Sequence, residues 1–113
     1  MPNSIEMKNI INLKDFSESI LKGTGIRIIK FYADWNGSSQ IMRPIYLELS
    51  EQYMDRADFF DLDVDRIPEI IKMIGIFELP TISVYVNGIV NQHFVGLKSK
   101  MGLIEKIQPI LFN

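Results

Sequence analysis

Hydrophobic and polar positions along the chain change period several times, and each change marks a predicted element. Residues 7–13 form a short apolar-rich run suited to an edge strand. Over 14–22, Phe16 and Ile20 stand four apart, the spacing of an amphipathic helix, and Gly23 closes it. Ile26–Tyr32 is apolar on both faces near its end, as expected of a strand in the middle of a helix-covered sheet. Helical spacing returns over 40–54, with Ile41, Ile45, Leu49 and Tyr53 as its apolar row. Pro44 removes one backbone donor there and should kink the helix. Residues 57–64 read as a second buried strand, and 68–74 as a short helix with Pro68 in its first turn and Gly75 beyond its end. Two β-branched-rich runs, 82–86 and 89–95, flank Asn87-Gly88, one of the stronger short-range hairpin signals. Beyond Gly96 and Ser99 a last amphipathic helix carries Leu103, Ile104, Ile107 and Leu111 on one side.

Two strand–helix units, a hairpin and a closing helix predict an α/β architecture: a central mixed β-sheet flanked by helices on both faces. At 113 residues this is one domain over 1–113, large enough for a hydrophobic core without disulfides or metals. No internal repeat, linker or low-complexity segment interrupts it. The net charge of −2, with no run of like charge, gives no electrostatic reason to expect nucleic acid or an anionic membrane as partner. No apolar stretch approaches the roughly 18–20 residues of a membrane span. Residues 1–6 have neither the basic end nor the apolar core of a signal peptide, so the cytoplasm is the expected compartment, with a trimmed leader left open.

The chain has no cysteine. Dithiol exchange proceeds by thiolate attack on a disulfide, so thiol catalysis, cysteine-held iron–sulfur clusters and classical structural zinc are all excluded. The count says little about compartment, because a cysteine-free chain tolerates either redox environment.

The candidate chemistry lies where the strand ending at Tyr32 meets the long helix, through Ala33-Asp34-Trp35-Asn36-Gly37-Ser38-Ser39. Strand, tight turn and helix in that order aim unpaired helix N–H groups at the turn, a common place for chemistry in α/β proteins. This segment closely resembles the active-site segment of the thioredoxin family, Trp-Cys-Gly-Pro-Cys. Trp35 and Gly37 are kept, Asn36 and Ser39 stand at the cysteine positions, and Ser38 stands at the proline. The helix proline Pro44, Leu79-Pro80-Thr81, Asn87-Gly88 and Val95-Gly96 fall at the family's spacings. The likeness runs from about Met7 to Leu111 and needs no gap from Ile28 onward. It implies the thioredoxin fold and, taken alone, disulfide exchange in redox homeostasis; the missing thiols contradict that chemistry.

The resemblance also implies a cis peptide bond at Leu79–Pro80, which would leave the Leu79 backbone free to pair with an extended peptide. Trp35, Leu79, Pro80, Val95 and Gly96 correspond to the family's apolar groove, an exposed cluster of the kind that marks contact surfaces; the alternative is that Leu79 and Val95 are core, with Trp35 packed flat on the helix. Lys30 occupies the place of the family's buried aspartate and Asp61 that of its partner lysine, so a charge-swapped, partly buried ion pair is expected. Ser38 and Ser39 suit helix capping better than catalysis, since a nucleophilic serine needs a nearby base and the only histidine, His93, lies in a strand remote from the turn. Asp34, Asp63 and Glu78 fit no compact metal motif, so neither metal nor cofactor is expected. The favoured reading is a redox-inactive thioredoxin-like module that holds a protein or peptide segment in the groove. The alternatives are a cysteine-independent enzyme holding an anion at Ser38–Ser39, and a structural subunit whose Trp35–Leu79 surface is a permanent interface burying about 1,600 Å² or more.

Overall fold

The computed structural model describes residues 7–112; residues 1–6, read above for a leader, lie outside the described residues. In chain order the elements are β1 (Lys8–Ile10), α1 (Leu13–Phe16, continued as a π-helical turn over Ser17–Leu21), β2 (Ile26–Tyr32), α2 (Gly37–Gln52), β3 (Asp58–Asp63), α3 (Glu69–Ile74), β4 (Thr81–Val86), β5 (Ile89–Val95) and α4 (Lys100–Leu111). The five strands form one sheet in the order β1-β3-β2-β4-β5. β1, β3 and β2 are mutually parallel, β4 runs antiparallel to β2, and among the described residues β5 pairs only with β4 as an edge strand. Among the described residues no helix is long and apolar enough to cross a membrane.

Alternation along β2 divides the core. Ile29 and Phe31 face one side with Phe16, Ile20, Phe60, Leu62, Ile70 and Tyr85. Ile28 faces the other with Met42, Tyr46, Leu49, Phe59, Val84, Leu103 and Ile107. Because side chains in a strand alternate with period two, Lys30 falls on the second side, beneath α2. Nothing in the strand's periodicity marks that position as costly until both faces are seen to be covered.

α2 corrects two expectations. It starts at Gly37 rather than near residue 40, and its buried face is Ser39, Met42, Tyr46, Leu49, Ser50 and Tyr53. Ile41, expected to face the core, is 55% exposed. A row of residues strictly four apart drifts around a helix of 3.6 residues per turn, so Ile41, Ile45, Leu49 and Tyr53 cannot share one face throughout. The buried set mixes spacings of three and four and stays against the sheet. The helix runs through Pro44. At the other end of the chain the expected apolar side of α4 holds, with Leu103, Ile107 and Leu111 buried and Ser99 accepting the Gly102 N–H in its first turn.

The hairpin turn is fixed by contacts as well as by local preference. Asn87 and Gly88 both have positive φ, 50° and 82°, as a two-residue hairpin of matching twist requires. The Gly25 N–H donates to Asn87 Oδ1 at 2.7 Å, and the Asn87 N–H donates back to the Gly25 carbonyl at 2.9 Å. A Cβ on Gly88 would collide with the Leu21 carbonyl, whereas one on Gly37 meets nothing within 4 Å. Gly88→Ala is therefore expected to cost about 1–3 kcal/mol and Gly37→Ala no more than about 0.5 kcal/mol. Urea unfolding of the two variants in parallel checks the contrast.

Candidate functional site

β2 delivers the chain into a turn closed largely by its own hydrogen bonds. The Asn36 N–H donates to the Ala33 carbonyl at 3.1 Å, and the Ala33 N–H reaches Ser39 Oγ at 3.4 Å. Asn36, rather than Ser38 or Ser39, caps α2: its Oδ1 accepts the Ser39 N–H at 2.7 Å, and its carbonyl accepts the Gln40 N–H at 3.1 Å. The expectation of a serine cap is corrected because the helix begins at Gly37, which puts both serines inside the first turn. Ser39 is buried. Gln40 Nε2 donates to the Asp34 carbonyl at 2.6 Å, and Arg43 holds the Asp34 carboxylate at 3.0 Å.

Trp35 projects from this turn, 70% exposed, its Nε1–H donating to Asp65 Oδ1 at 3.3 Å. Facing it is the link from α3 to β4. Gly75 ends α3 at φ 80°, Phe77 follows almost fully exposed at 97%, and the Leu79–Pro80 bond is cis. Among the described residues the Leu79 N–H and carbonyl have no hydrogen-bond partner. Trp35, Ile71, Phe77 and Leu79 line a cleft of about 440 Å³, with Asp65 and Glu78 in its wall.

The cleft joins Trp35 to Leu79 and leaves out the other groove candidates. Pro80 and Gly96 are buried, and the Gly96 N–H donates to the Pro80 carbonyl at 2.8 Å. Val95 is exposed on the edge strand, outside the cleft lining. Ile71, Phe77 and Asp65 were not singled out from the sequence. Phe77 could have been, as a large aromatic between the Gly75 helix stop and Pro80.

Beneath the turn, Lys30 and Asp61 are direct neighbours in the β2–β3 register, with Nζ 3.3 Å from Oδ1. Both are poorly solvated, and Nζ also lies 4.9 Å from the Tyr46 ring centre and 5.1 Å from that of Tyr32. Asp61 Oδ1 is buried without a directed hydrogen bond, so the contact is Coulombic at close range rather than a well-aligned bridge. Burial lowers the Lys30 pKa from 10.5, opposed by the attraction of Asp61; burial raises that of Asp61 from 3.8, opposed by Lys30. Desolvation thus outweighs attraction at both ends.

The remaining candidates are dispersed. Asp34 and Asp63 border a separate polar cleft of about 260 Å³ with Asp61 and Arg66, whereas Glu78 lines the Trp35 cleft. Among the described residues no group of three or more His, Asp or Glu is spaced to hold a metal ion. His93, exposed on β5, shares a 2.6 Å hydrogen bond between Nδ1 and the buried Ser83 hydroxyl. The turn offers neutral amide and hydroxyl groups, and a chain without cysteine has no thiolate for disulfide exchange.

This arrangement of sheet, turn and cis-proline link is that of one class of protein, and the chain belongs to the thioredoxin family: the family model described as Thioredoxin matches residues 7–109. The chain is similar to the thioredoxin of Rickettsia bellii, 31% identical over 101 residues, covering 89% of this chain and 96% of that one. It is 26% identical over 102 residues to the chloroplastic thioredoxin M2 of Arabidopsis thaliana, covering 90% of this chain and 55% of that longer one. Among solved structures it resembles the oxidized form of mitochondrial thioredoxin 3 from Saccharomyces cerevisiae, with a TM-score of 0.82 and 27% identity, covering 91% and 94% of the two chains.

The ion pair gives a stability test. Removing one partner leaves a buried charge, so Lys30→Met or Asp61→Leu alone is expected to cost about 3–5 kcal/mol, with most of that recovered in the double variant. The pH dependence follows from the shifts. The contribution of a lowered lysine pKa is present above 10.5 and lost as pH falls through the folded value. That of a raised aspartate pKa is present below 3.8 and lost as pH rises through the folded value. Relative to the double variant, the native pair should therefore be least favourable in the neutral range between the two folded values, which urea midpoints measured across pH will check.

Proposed function

We propose that this is a redox-inactive thioredoxin-like binding module, which holds an extended polypeptide segment against Trp35 and Leu79. One observation carries this reading: a cleft lined by exposed aromatic and aliphatic side chains adjoins the backbone of Leu79, just before β4, whose polar groups have no partner among the described residues. Solvent-exposed apolar surface beside free backbone donors and acceptors suits β-type pairing with a peptide, and the side chains of that peptide would fill the cleft. The turn supports the same reading by default of chemistry. It keeps the shape that presents Trp35 and has no thiol with which to attack a bound disulfide.

The enzyme alternative at Ser38–Ser39 draws less support. Ser39 is buried with its N–H already accepted by Asn36, and the carboxylate nearest in sequence, Asp34, is engaged by Arg43.

Trp35 is the chain's only tryptophan, so its emission reports on the cleft alone. Titration with a reduced, carboxymethylated unfolded polypeptide is expected to shift Trp35 emission saturably. Leu79→Arg should weaken that binding at least tenfold, about 1.4 kcal/mol. Emission unchanged at saturating polypeptide, or affinity unaffected by Leu79→Arg, would overturn the groove assignment. Dithiothreitol-dependent insulin reduction above the uncatalysed rate would overturn redox inactivity.

A further inference from the structure

The cleft has a sign as well as a shape. Of its nine lining residues two are carboxylates, Asp65 and Glu78, and none is basic. Four acidic side chains elsewhere are held by cations, Asp58 by Lys8 and Arg27, Asp61 by Lys30, Asp34 by Arg43, and Glu48 by Lys100, while others such as Glu51 and Glu105 stand without one among the described residues. Among the described residues neither Asp65 nor Glu78 has a cationic side chain within ion-pair distance. We propose that the occupant of the Trp35–Leu79 cleft is a cationic extended peptide, with an apolar side chain on Trp35 and Phe77 and a neighbouring lysine or arginine reaching Glu78 and Asp65. This rests on the peptide-binding function proposed above and adds its charge specificity.

Both carboxylates are placed to act on a ligand. Asp65 is oriented by the indole N–H of Trp35 on Oδ1, and its Oδ2 accepts nothing among the described residues. Glu78 directly precedes Leu79, where the peptide backbone would pair. Its carboxylate leans over Gly96: a Cβ at that glycine, whose φ is 84°, would stand 2.6 Å from Oε2. Gly96, directly after β5, therefore makes room for the acid. A bound cation would pair with both carboxylates, which are solvent-exposed, so its attraction weakens as salt rises. An acidic peptide would face two like charges with no compensating cation in the lining, which disfavours it.

The test compares three capped, unstructured peptides of one apolar sequence, whose alternate positions are lysine, serine or glutamate. Trp35 emission measures their affinities for the full chain at low and high salt. The lysine peptide is expected to bind at least tenfold tighter than the glutamate peptide at low salt, with the serine peptide between them and the spread narrowing at high salt. Glu78→Lys should abolish or invert the order. Glu51→Lys, near the opposite end of α2 and about 20 Å along the helix from its start, should leave it intact while making the same change in total charge. Equal affinity for the lysine and serine peptides would overturn the charge specificity and leave the groove standing. An order untouched by Glu78→Lys would overturn the role of Glu78. Binding of none of the three would overturn the peptide-binding function itself, and the inference with it.

Discussion

The double coverage of β2 is the constraint on which the rest of the structure depends. This strand is hydrogen-bonded along both edges, to β3 and β4, and each of its faces is covered by helices and side chains. A charge on such a strand has no water to meet, so Lys30 needs an acid at hand, and the parallel register supplies Asp61 directly opposite. The same face holds Tyr46, whose hydroxyl lies 3.0 Å from the Ile28 carbonyl and 2.8 Å from that of Phe60. α2 is thereby tied across the two central strands by a polar contact within an apolar interface. Since β2 ends at Tyr32 and α2 begins at Gly37, this docking also fixes where Trp35 stands.

Much of the fold was legible in the sequence, and the exceptions are instructive. Short strands and the hairpin followed from period and from Asn87-Gly88, whose conformation few other residue pairs adopt easily. The expected face of α2 fails at Ile41, while Ile45, Leu49 and Tyr53 do pack on the core, because apolar character is visible in sequence and the angular drift of a four-residue row is less so. The helix start was misplaced for a related reason. In sequence Asn36 reads as a substitute for a cysteine rather than as a cap, yet an asparagine whose Oδ1 takes the N–H three residues later begins a helix whatever its ancestry. The Lys30–Asp61 contact was visible only through the resemblance, since thirty-one residues separate the two in the chain. The cleft was legible in part. Trp35 and Leu79 belong to the family's pattern, but Ile71, Phe77 and Asp65 enter through the way α3 and the link after it pack, which no local period encodes.

The substitutions relative to the family's motif form a consistent physical set. Replacing both thiols by Asn36 and Ser39 removes the nucleophiles and leaves a turn held together by Asn36, Ser39 and Ala33. Exchanging a buried acid for Lys30 is tolerable once no thiol requires a proton acceptor and once Asp61 stands where it does. What persists is an exposed indole hydrogen-bonded to Asp65, an open aromatic at Phe77, and, among the described residues, an unpaired backbone at Leu79 beside the cis bond. Catalytic chemistry and substrate holding, which occupy one site in a dithiol enzyme, are separable because they use different atoms.

The proposed contact with a polypeptide lies at this turn and link. Backbone and indole NMR shifts recorded on the full chain with increasing unfolded polypeptide test it most directly. Localised changes at the Trp35 indole N–H and at the Phe77, Glu78 and Leu79 amides, with the β5 edge and the exposed face of α4 undisturbed, are the predicted result. Changes centred on β5 or α4 with the Trp35 and Leu79 signals unmoved would contradict it.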